Sequence, residues 1–395
     1  SVRLQQESAV GRLEVDARAE QLFGEPVLDV RAHGEDIRID SDVIAALRTF
    51  DVGRDVVAGL QPKTGTADLD LFLRDPHRRG GLAELELTLQ GVAMSYDGFG
   101  HEEDRARFPL PLVQARGRVR LRDDVLLLED VDAAIPDFAG GGTVRLVGRV
   151  ETRAPAGEDT SLDIHADSVQ FNDHLRAALT ALLRDDGRLY DKLAPTGRSE
   201  VTVQVRPRSS LPGGWSVEVR PQQAAVQWAG FPYRLEQVRG SVVARQSGVV
   251  FDLAGGHGDG TVTMRGRIPV DVEHEEDGGF EAVVDVQRLA IDDDLRAAVA
   301  VIAPEIDRPW RDAAPRGQLG GRVKVWRPHE GDPLSYDVLL EVDGASLRLP
   351  TAPWSAADLR GQIFVLGSDS DTRIDFDALR GRLEHGGERP AQPAM

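Results

Sequence analysis

The 395-residue sequence contains no cysteine, and this absence excludes structural disulfides and thiolate metal sites. Aromatic residues are scarce, at 5% of the chain, and no window approaches the roughly 18 apolar residues of a membrane-spanning helix. No cluster of Lys and Arg is present, and the formal net charge of −19 would repel a phosphate backbone. The composition therefore excludes a nucleic-acid partner, whereas a cysteine-free chain fits both the cytosol and the cell envelope.

The sequence is instead rich in turn-forming residues, with 41 Gly and 22 Pro, which favours many short strands separated by turns. An Arg-Gly step recurs at Gly117, Gly240 and Gly361, and these glycines are roughly 120 residues apart. A second series, in which a Pro-containing turn ends in glycine, has a similar period at Gly65, Gly197 and Gly317. The two series together predict a mostly-β repeat protein.

Each repeat is predicted to contain one short amphipathic helix that packs on the sheet, near residues 42–51, 173–185 and 293–303. In the second of these segments, apolar residues recur with helical period behind the candidate N-caps Asn172 and Asp173. The predicted divisions are the end of a preceding repeat (1–27), three repeats (28–160, 161–278 and an incomplete 279–387) and a disordered tail (388–395). We expect the chain to be an excerpt of a longer array.

The predicted strands alternate between apolar and polar residues, which is the pattern of a sheet with one buried face. Such an apolar face must be covered, either by folding of the sheet or by a ligand. At about 4.8 Å per strand, three repeats of six strands would extend about 85 Å. The predicted lining residues of this face are Leu69, Leu71, Leu85, Leu87, Val119, Leu121, Val144, Leu146, Val201, Val203, Val242, Val262, Met264, Ile363 and Val365.

The strand after each Arg-Gly step, the closing segments "GGGTVRLVGRV" and "GDGTVTMRGRI" and the turn "LAPTG" resemble the AsmA-like superfamily, which includes the TamB- and YhdP-type proteins. The resemblance covers roughly residues 28–385 and rests on this repeated pattern. It implies an elongated, taco-like antiparallel sheet that forms a repeating β-groove. It also implies a periplasmic location, an inner-membrane anchor upstream of this chain and a role in outer-membrane biogenesis. The regular helix in each repeat departs from the pattern of the superfamily.

The function expected from these features is non-enzymatic transport of phospholipids between the inner and outer membranes, with acyl chains in the groove. Outer-membrane proteins are further possible partners. The alternative is a structural β-solenoid scaffold, or an outer-membrane assembly factor, with no lipid cargo. The size of the inward residues does not distinguish a lipid groove from a closed core.

Candidate enzymatic and metal-binding motifs are weak. The acidic stretches "HEED" from His101 and "EHEED" from Glu273 lack the spacing of a zinc protease, and "SDSDT" from Ser368 lacks the glycine and glutamate of an EF-hand. The segments "AGGGT" from Ala139 and "GHGDGT" from Gly256 are followed by strands, so we interpret them as hairpin turns and not as phosphate loops. We predict no catalytic residue, no metal and no cofactor, and interpret His165 as an ordinary strand residue.

Overall fold

The structure is a computed structural model and describes residues 2–8, 11–20, 27–49, 51–74, 82–98, 107–122, 125–151, 160–183, 188–207, 209–211, 214–269, 278–329, 331–349, 353–368 and 371–385. Strands account for 68% of the chain, so the prediction of a mostly-β protein is confirmed. The strands are β1 (Val2–Ser8), β2 (Gly11–Glu20), β3 (Val27–Arg38), β4 (Thr64–Arg74), β5 (Leu82–Tyr96), β6 (Phe108–Arg122), β7 (Val125–Ala134), β8 (Thr143–Glu151), β9 (Ser161–Gln170), β10 (Thr196–Val205), β11 (Trp215–Val226), β12 (Leu235–Arg245), β13 (Gly248–His257), β14 (Gly260–Pro269), β15 (Gly278–Ala290), β16 (Arg316–His329), β17 (Ser335–Arg348), β18 (Trp354–Ser368) and β19 (Asp371–His385).

These strands belong to one antiparallel sheet, in which consecutive strands pair with each other from β1 to β10 and from β13 to β19. Among the described residues the sheet is open, because β1 and β19 do not pair with each other. Consecutive pairing of this kind needs only short connections between strands. The predicted antiparallel arrangement is therefore confirmed, whereas the three repeats and the groove stay predictions.

Helices occur in pairs, and each pair connects two adjacent strands of the sheet. The pairs follow β3, β9 and β15, and consist of α1 (Ser41–Arg48) with α2 (Asp51–Leu60), α3 (Asp173–Leu183) with α4 (Arg188–Leu193), and α5 (Asp293–Ile302) with α6 (Asp307–Ala313). Short 3-10 helices span Asp137–Ala139 and Pro304–Ile306.

The prediction of one helix per repeat is wrong, because a second helix follows each predicted one. The sequence hides these second helices for physical reasons. Gly53 lies inside α2 and lowers its helix propensity, α4 has only six residues, and Pro309 in the first turn of α6 is also the usual signal of a break. The predicted segment 42–51 covers most of α1 and only the first residue of α2.

The chain divides into two compact units. The N-terminal unit comprises residues 1–187, 198–219 and 244–246, and the C-terminal unit comprises residues 188–197, 220–243 and 247–395. The N-terminal unit has its core between the sheet and two helices, since α2 contacts β5 and α3 contacts β6. The buried helix residues there are Val56, Val57, Leu60, Leu175, Ala178, Leu179 and Leu182.

The C-terminal unit has a separate core around the first turns of α5. Leu295 and Ala298 of this helix pack with Val262 of β14 and Leu289 of β15. The same cluster includes Val226, Tyr233, Leu235, Val238 and Leu253. Asp292 caps α5, because its Oδ1 accepts a hydrogen bond from the backbone N–H of Leu295 at 2.9 Å.

The recurring glycines are explained by bulges in the strand that follows. Gly117 has φ +135°, and a Cβ at this position would lie 2.4 Å from the carbonyl oxygen of Asp130, which itself has φ +48°. The register of β6 against β7 shifts at this point. Gly361 has the same environment, since a Cβ there would lie 2.7 Å from Cα of Leu379, beside Ala378 at φ +51°. Only glycine tolerates this combination of backbone angle and close approach.

Candidate functional site

The apolar face of the sheet in the N-terminal unit is continuous across its strands. Leu85 and Leu87 of β5 lie opposite Leu121 and Val119 of β6, and the same face continues through β7. On β8, β9 and β10, Val144 lies opposite Ala166, which lies opposite Val201, while Leu146, Ile164 and Val203 form the adjacent row. The predicted lining residues of this unit therefore share one face.

This face is closed over most of its area. Val119, Leu121, Leu146 and Val203 are each 1% exposed, and Val201 has no exposed surface. The interior encloses a cavity of about 10 Å³, whose walls are Tyr96, Phe108, Leu110, Leu112, Val144, Leu146 and Ile164. A cavity of this size holds at most one water molecule. Four of these wall residues belong to the ends of β5 and β6 beyond the bulge at Gln114, and the other three belong to β8 and β9. The ends of β5 and β6 therefore lie against the apolar face of β8 and β9.

The lining residues toward the other side of this unit are less enclosed. Leu69 and Leu71 on β4 and Leu87 on β5 are half-buried, whereas Leu85 is only 4% exposed. A wider open hollow of about 630 Å³ lies beside the start of α1, and its walls include Arg38, Asp40, Lys63 and Gln90 together with backbone. None of the predicted lining residues lies on the walls of this hollow.

The apolar face of the C-terminal unit also forms a ladder, but it is open at one end. Met264 of β14 lies opposite Val284 of β15, which lies opposite Val323 of β16, and the row continues through Val338 of β17 and Val365 of β18. It ends at Ile374 of β19. An adjacent row contains Val262, Val286, Gly321, Leu340, Ile363 and Phe376.

Exposure increases along this ladder from β14 to β19. Val262 is 6% exposed, Ile363 and Val365 are half-buried, and Ile374 and Phe376 are 54% and 64% exposed. Met264 and Val242 are half-buried beside the core cluster of this unit. The C-terminal strands therefore present an apolar surface that the described residues of the unit leave partly uncovered.

The opposite face of the sheet is covered by ion pairs in both units. In the N-terminal unit Glu86 lies 3.0 Å from Nε of Arg118. In the C-terminal unit Asp285 accepts hydrogen bonds from Arg322 at 2.6 Å and Arg265 at 3.3 Å. The hydrogen bond from Arg322 is the main cause that lowers the pKa of Asp285 below its usual value. This pattern leaves a charged face in water and an apolar face on the other side.

Several weaker candidates from the sequence fall outside the described residues. These are the acidic stretches that begin at His101 and Glu273, and Asp369 and Ser370 of the segment Ser368–Thr372. The segment after Ala139 and the one after Gly256 form turns between consecutive strands, as predicted. His165 is exposed on β9, with Nδ1 3.3 Å from Oγ1 of Thr202.

One polar cluster was missed by the sequence reasoning. His257 at the end of β13 lies beside Asp292 and Asp294 at the start of α5, and one ligand atom of each lies within 4.8 Å of the others. His257 precedes the two aspartates by 35 positions or more in the sequence, so spacing alone carries no signal. Their proximity follows from the contact between the end of β13 and the first turn of the helix.

No protein-family model, curated protein or solved structure matches the chain. In the part of the chain that the structure describes, no helix has the length and apolar character required to cross a membrane.

Proposed function

We propose that this protein is non-enzymatic and binds phospholipid acyl chains on the apolar face of its C-terminal unit. The observation that carries the proposal is the increase in exposure along this face, from 6% at Val262 to 54% at Ile374. Large contiguous apolar surface is uncommon on a soluble protein unless a ligand or partner covers it. An acyl chain is a suitable cover, because each buried methylene contributes about 0.8 kcal/mol.

The dimensions of the face support this ligand. The row from Val284 on β15 to Ile374 on β19 crosses four strand spacings, or about 19 Å at 4.8 Å per spacing. One leaflet of a bilayer is about 15 Å thick in its hydrocarbon region, which is the length of an acyl chain in the membrane. A chain that lies across β15–β19 therefore finds apolar contacts along its whole length.

The charge of the protein favours acyl chains over headgroups as the bound part of the lipid. The formal net charge is −19, and anionic headgroups attract clusters of Lys and Arg. The charged face of the C-terminal unit is satisfied by its own ion pairs, such as Lys324 with Glu281 at 3.2 Å. Binding energy should therefore come from the apolar face.

The wider role follows from the resemblance of the repeated segments to the AsmA-like superfamily. We infer that the protein is a member of it, is located in the periplasm and conducts phospholipids between the inner and outer membranes. In this proposal an anchor segment outside the present chain fixes the protein to the inner membrane. The recurring glycines support a repeated architecture, since Gly117, Gly240 and Gly361 all lie against the backbone of the following strand.

The second candidate function is that of a structural scaffold or outer-membrane assembly factor without lipid. The closed interior of the N-terminal unit favours it, because Val119, Leu146 and Val201 leave no space for an acyl chain. The two functions are compatible in one chain if the N-terminal unit is a rigid support and the C-terminal unit carries the lipid. They make different predictions at β17 and β18.

Site-specific photocrosslinking tests the proposal on the full chain. A benzophenone amino acid replaces Val338 or Val365 on the apolar face, and the protein is incubated with vesicles of phosphatidylethanolamine and phosphatidylglycerol before illumination. Both positions are half-buried, so the larger side chain is tolerated by the fold. We expect a phospholipid adduct at both positions, detected as a mass increase of the intact protein.

The matched control is Asp337, which neighbours Val338 on β17 but points to the charged face, opposite Lys324. The same benzophenone residue at Asp337 should give no adduct. Absence of adducts at Val338 and Val365, in protein with an unchanged circular dichroism spectrum, would contradict lipid binding and support the scaffold function. Equal adducts at all three positions would also contradict it, since they would indicate nonspecific adsorption.

A further inference from the structure

The cluster of His257, Asp292 and Asp294 lies in the C-terminal unit, where β13 ends and α5 begins. Nε2 of His257 is 3.4 Å from Oδ2 of Asp294 and 3.9 Å from Oδ2 of Asp292. The other carboxylate oxygen of Asp292 caps the helix, so this side chain is held in place by the backbone N–H of Leu295. His257 is only 21% exposed at its side chain, whereas Asp294 is largely exposed.

The orientation of the imidazole is set by its other nitrogen. Nδ1 of His257 lies 2.8 Å from the carbonyl oxygen of Arg234. A carbonyl only accepts hydrogen bonds, so Nδ1 carries a proton and donates it. In the neutral ring Nε2 then has a free lone pair, which faces two carboxylate oxygens. Three acceptor atoms within 4.8 Å of one another favour a bound cation, and an imidazole oriented by a carbonyl is typical of a metal ligand.

Tyr233 supplies an independent observation at the same place. Its ring packs on His257 with centroids 4.2 Å apart, and the residue is 5% exposed. Its hydroxyl is buried and has no hydrogen-bond partner among the described residues. A buried hydroxyl without a partner is costly unless a ligand or water satisfies it.

The first residues of α1 and α3, which begin the other two helix pairs, provide an internal comparison with the start of α5. At α1 the cap Asp40 faces Arg38, whose Nη2 is 3.5 Å from its Oδ2, so an arginine already balances the charge. At α3 the cap is Asn172, and His174 makes an edge contact with Phe138. Helix capping alone therefore does not produce the cluster at α5. There, a histidine and two carboxylates lie together, and the described contacts of these carboxylates include no arginine.

We propose that His257, Asp292 and Asp294 bind a divalent transition-metal ion of the Zn²⁺ type, with the hydroxyl of Tyr233 as a nearby donor to a metal-bound water. Ligands about 2.0–2.2 Å from a tetrahedral ion are separated by roughly 3.3–3.5 Å. The 3.4 Å between His257 and Asp294 agrees with this value, and Oδ2 of Asp292, at 3.9 Å from His257, is the oxygen that the helix cap leaves free. Nitrogen and carboxylate ligands with an open position are a combination that Zn²⁺ accepts.

Calorimetric titration of the full chain with ZnCl₂, after treatment with a chelator, tests this site. We expect one high-affinity site per chain in the wild type and at least a tenfold weaker affinity in His257→Gln and Asp294→Asn. Asp292→Asn should weaken binding similarly, although Asn preserves the helix cap, so this variant separates the loss of a ligand from the loss of the helix. Circular dichroism verifies that each variant is folded.

Two control variants test three other histidines of the chain. His101→Gln with His274→Gln removes the histidines of the two acidic stretches, and His174→Gln alters the corresponding helix start at α3. Both should retain the wild-type affinity. No stoichiometric Zn²⁺ binding by the wild type, or an unchanged affinity in His257→Gln, would overturn the proposal. In that case the three side chains lie together without binding a metal.

Discussion

The two units use the same alternating strands but differ in how far the apolar face is buried. In the N-terminal unit Val201 and Leu146 are at most 1% exposed, whereas in the C-terminal unit Val338 and Val365 are half-buried and Ile374 is 54% exposed. Alternation therefore determines which face is apolar, but not whether that face is closed. Closure depends on which elements fold over the sheet.

The covering elements explain the difference. In the N-terminal unit the far halves of β5 and β6 fold over the sheet and α3 packs on β6, so the apolar residues meet other apolar residues. In the C-terminal unit the core cluster around α5 reaches Val262, Val284 and Leu319. The strands from β17 to β19 extend beyond this cluster. Their apolar side chains are consequently the exposed ones.

The largest expected difference between the units concerns a buried charge. Val201→Asp places a carboxylate where no surface is exposed, and we expect it to lower the free energy of unfolding by about 3–5 kcal/mol. Val338→Asp places the same group on the half-buried face, where water reaches it, and should cost about 1 kcal/mol. Thermal and urea unfolding measure both. Similar losses in the two variants would contradict an open face in the C-terminal unit.

A smaller effect should be common to both units, because the glycine–bulge contact occurs in each. Gly117→Ala and Gly361→Ala introduce a Cβ less than 3 Å from backbone atoms of the next strand, and each should cost about 2 kcal/mol. Gly344→Ala is the control, since it also has positive φ but has open space around the added Cβ, and should cost about 1 kcal/mol. Urea unfolding would show equal losses for Gly344→Ala and Gly117→Ala if the contact were unimportant.

The smallest effect is a pH dependence specific to the charged face of the C-terminal unit. The pKa of Asp285 is lower in the folded protein than in the unfolded chain, chiefly because Arg322 donates a hydrogen bond to it. Its stabilising contribution is therefore present above the unfolded pKa of about 3.9 and is lost as pH falls through the folded pKa. Asp285→Asn should lower the melting temperature slightly at pH 7 and have less effect at pH 3. A larger effect at pH 3 would contradict the sign.

Much of the fold was predictable from the sequence because it depends on local patterns. The alternation at Val201, Val203 and Val205 gives a half-buried strand, and the helical period after Asn172 gives α3. The second helix of each pair was not predictable, since Pro309 in α6 and Gly53 in α2 are residues that normally end helices. In α2 the burial of Val56, Val57 and Leu60 stabilises the helix despite its low propensity.

The candidate sites were predictable only in part. The sequence assigns Val119 and Val365 to the same type of position, yet the first is 1% exposed and the second is half-buried. This difference depends on distant segments that fold over the sheet, and a local pattern contains no information about them. The proximity of His257 to Asp292 has the same origin. Burial and ligand clusters are therefore the properties that required the structure.

The order of strands in the sheet has a consequence for how the chain folds. Because consecutive strands pair with each other from β1 to β10 and from β13 to β19, most of the connections that must close are short, apart from the three that contain helix pairs, and the entropy lost in each short closure is small. Folding can therefore proceed one strand at a time from the first residues to emerge during synthesis, with each new hairpin added to an existing edge. A mostly-β chain with this connectivity does not have to wait for its last residues before it acquires structure.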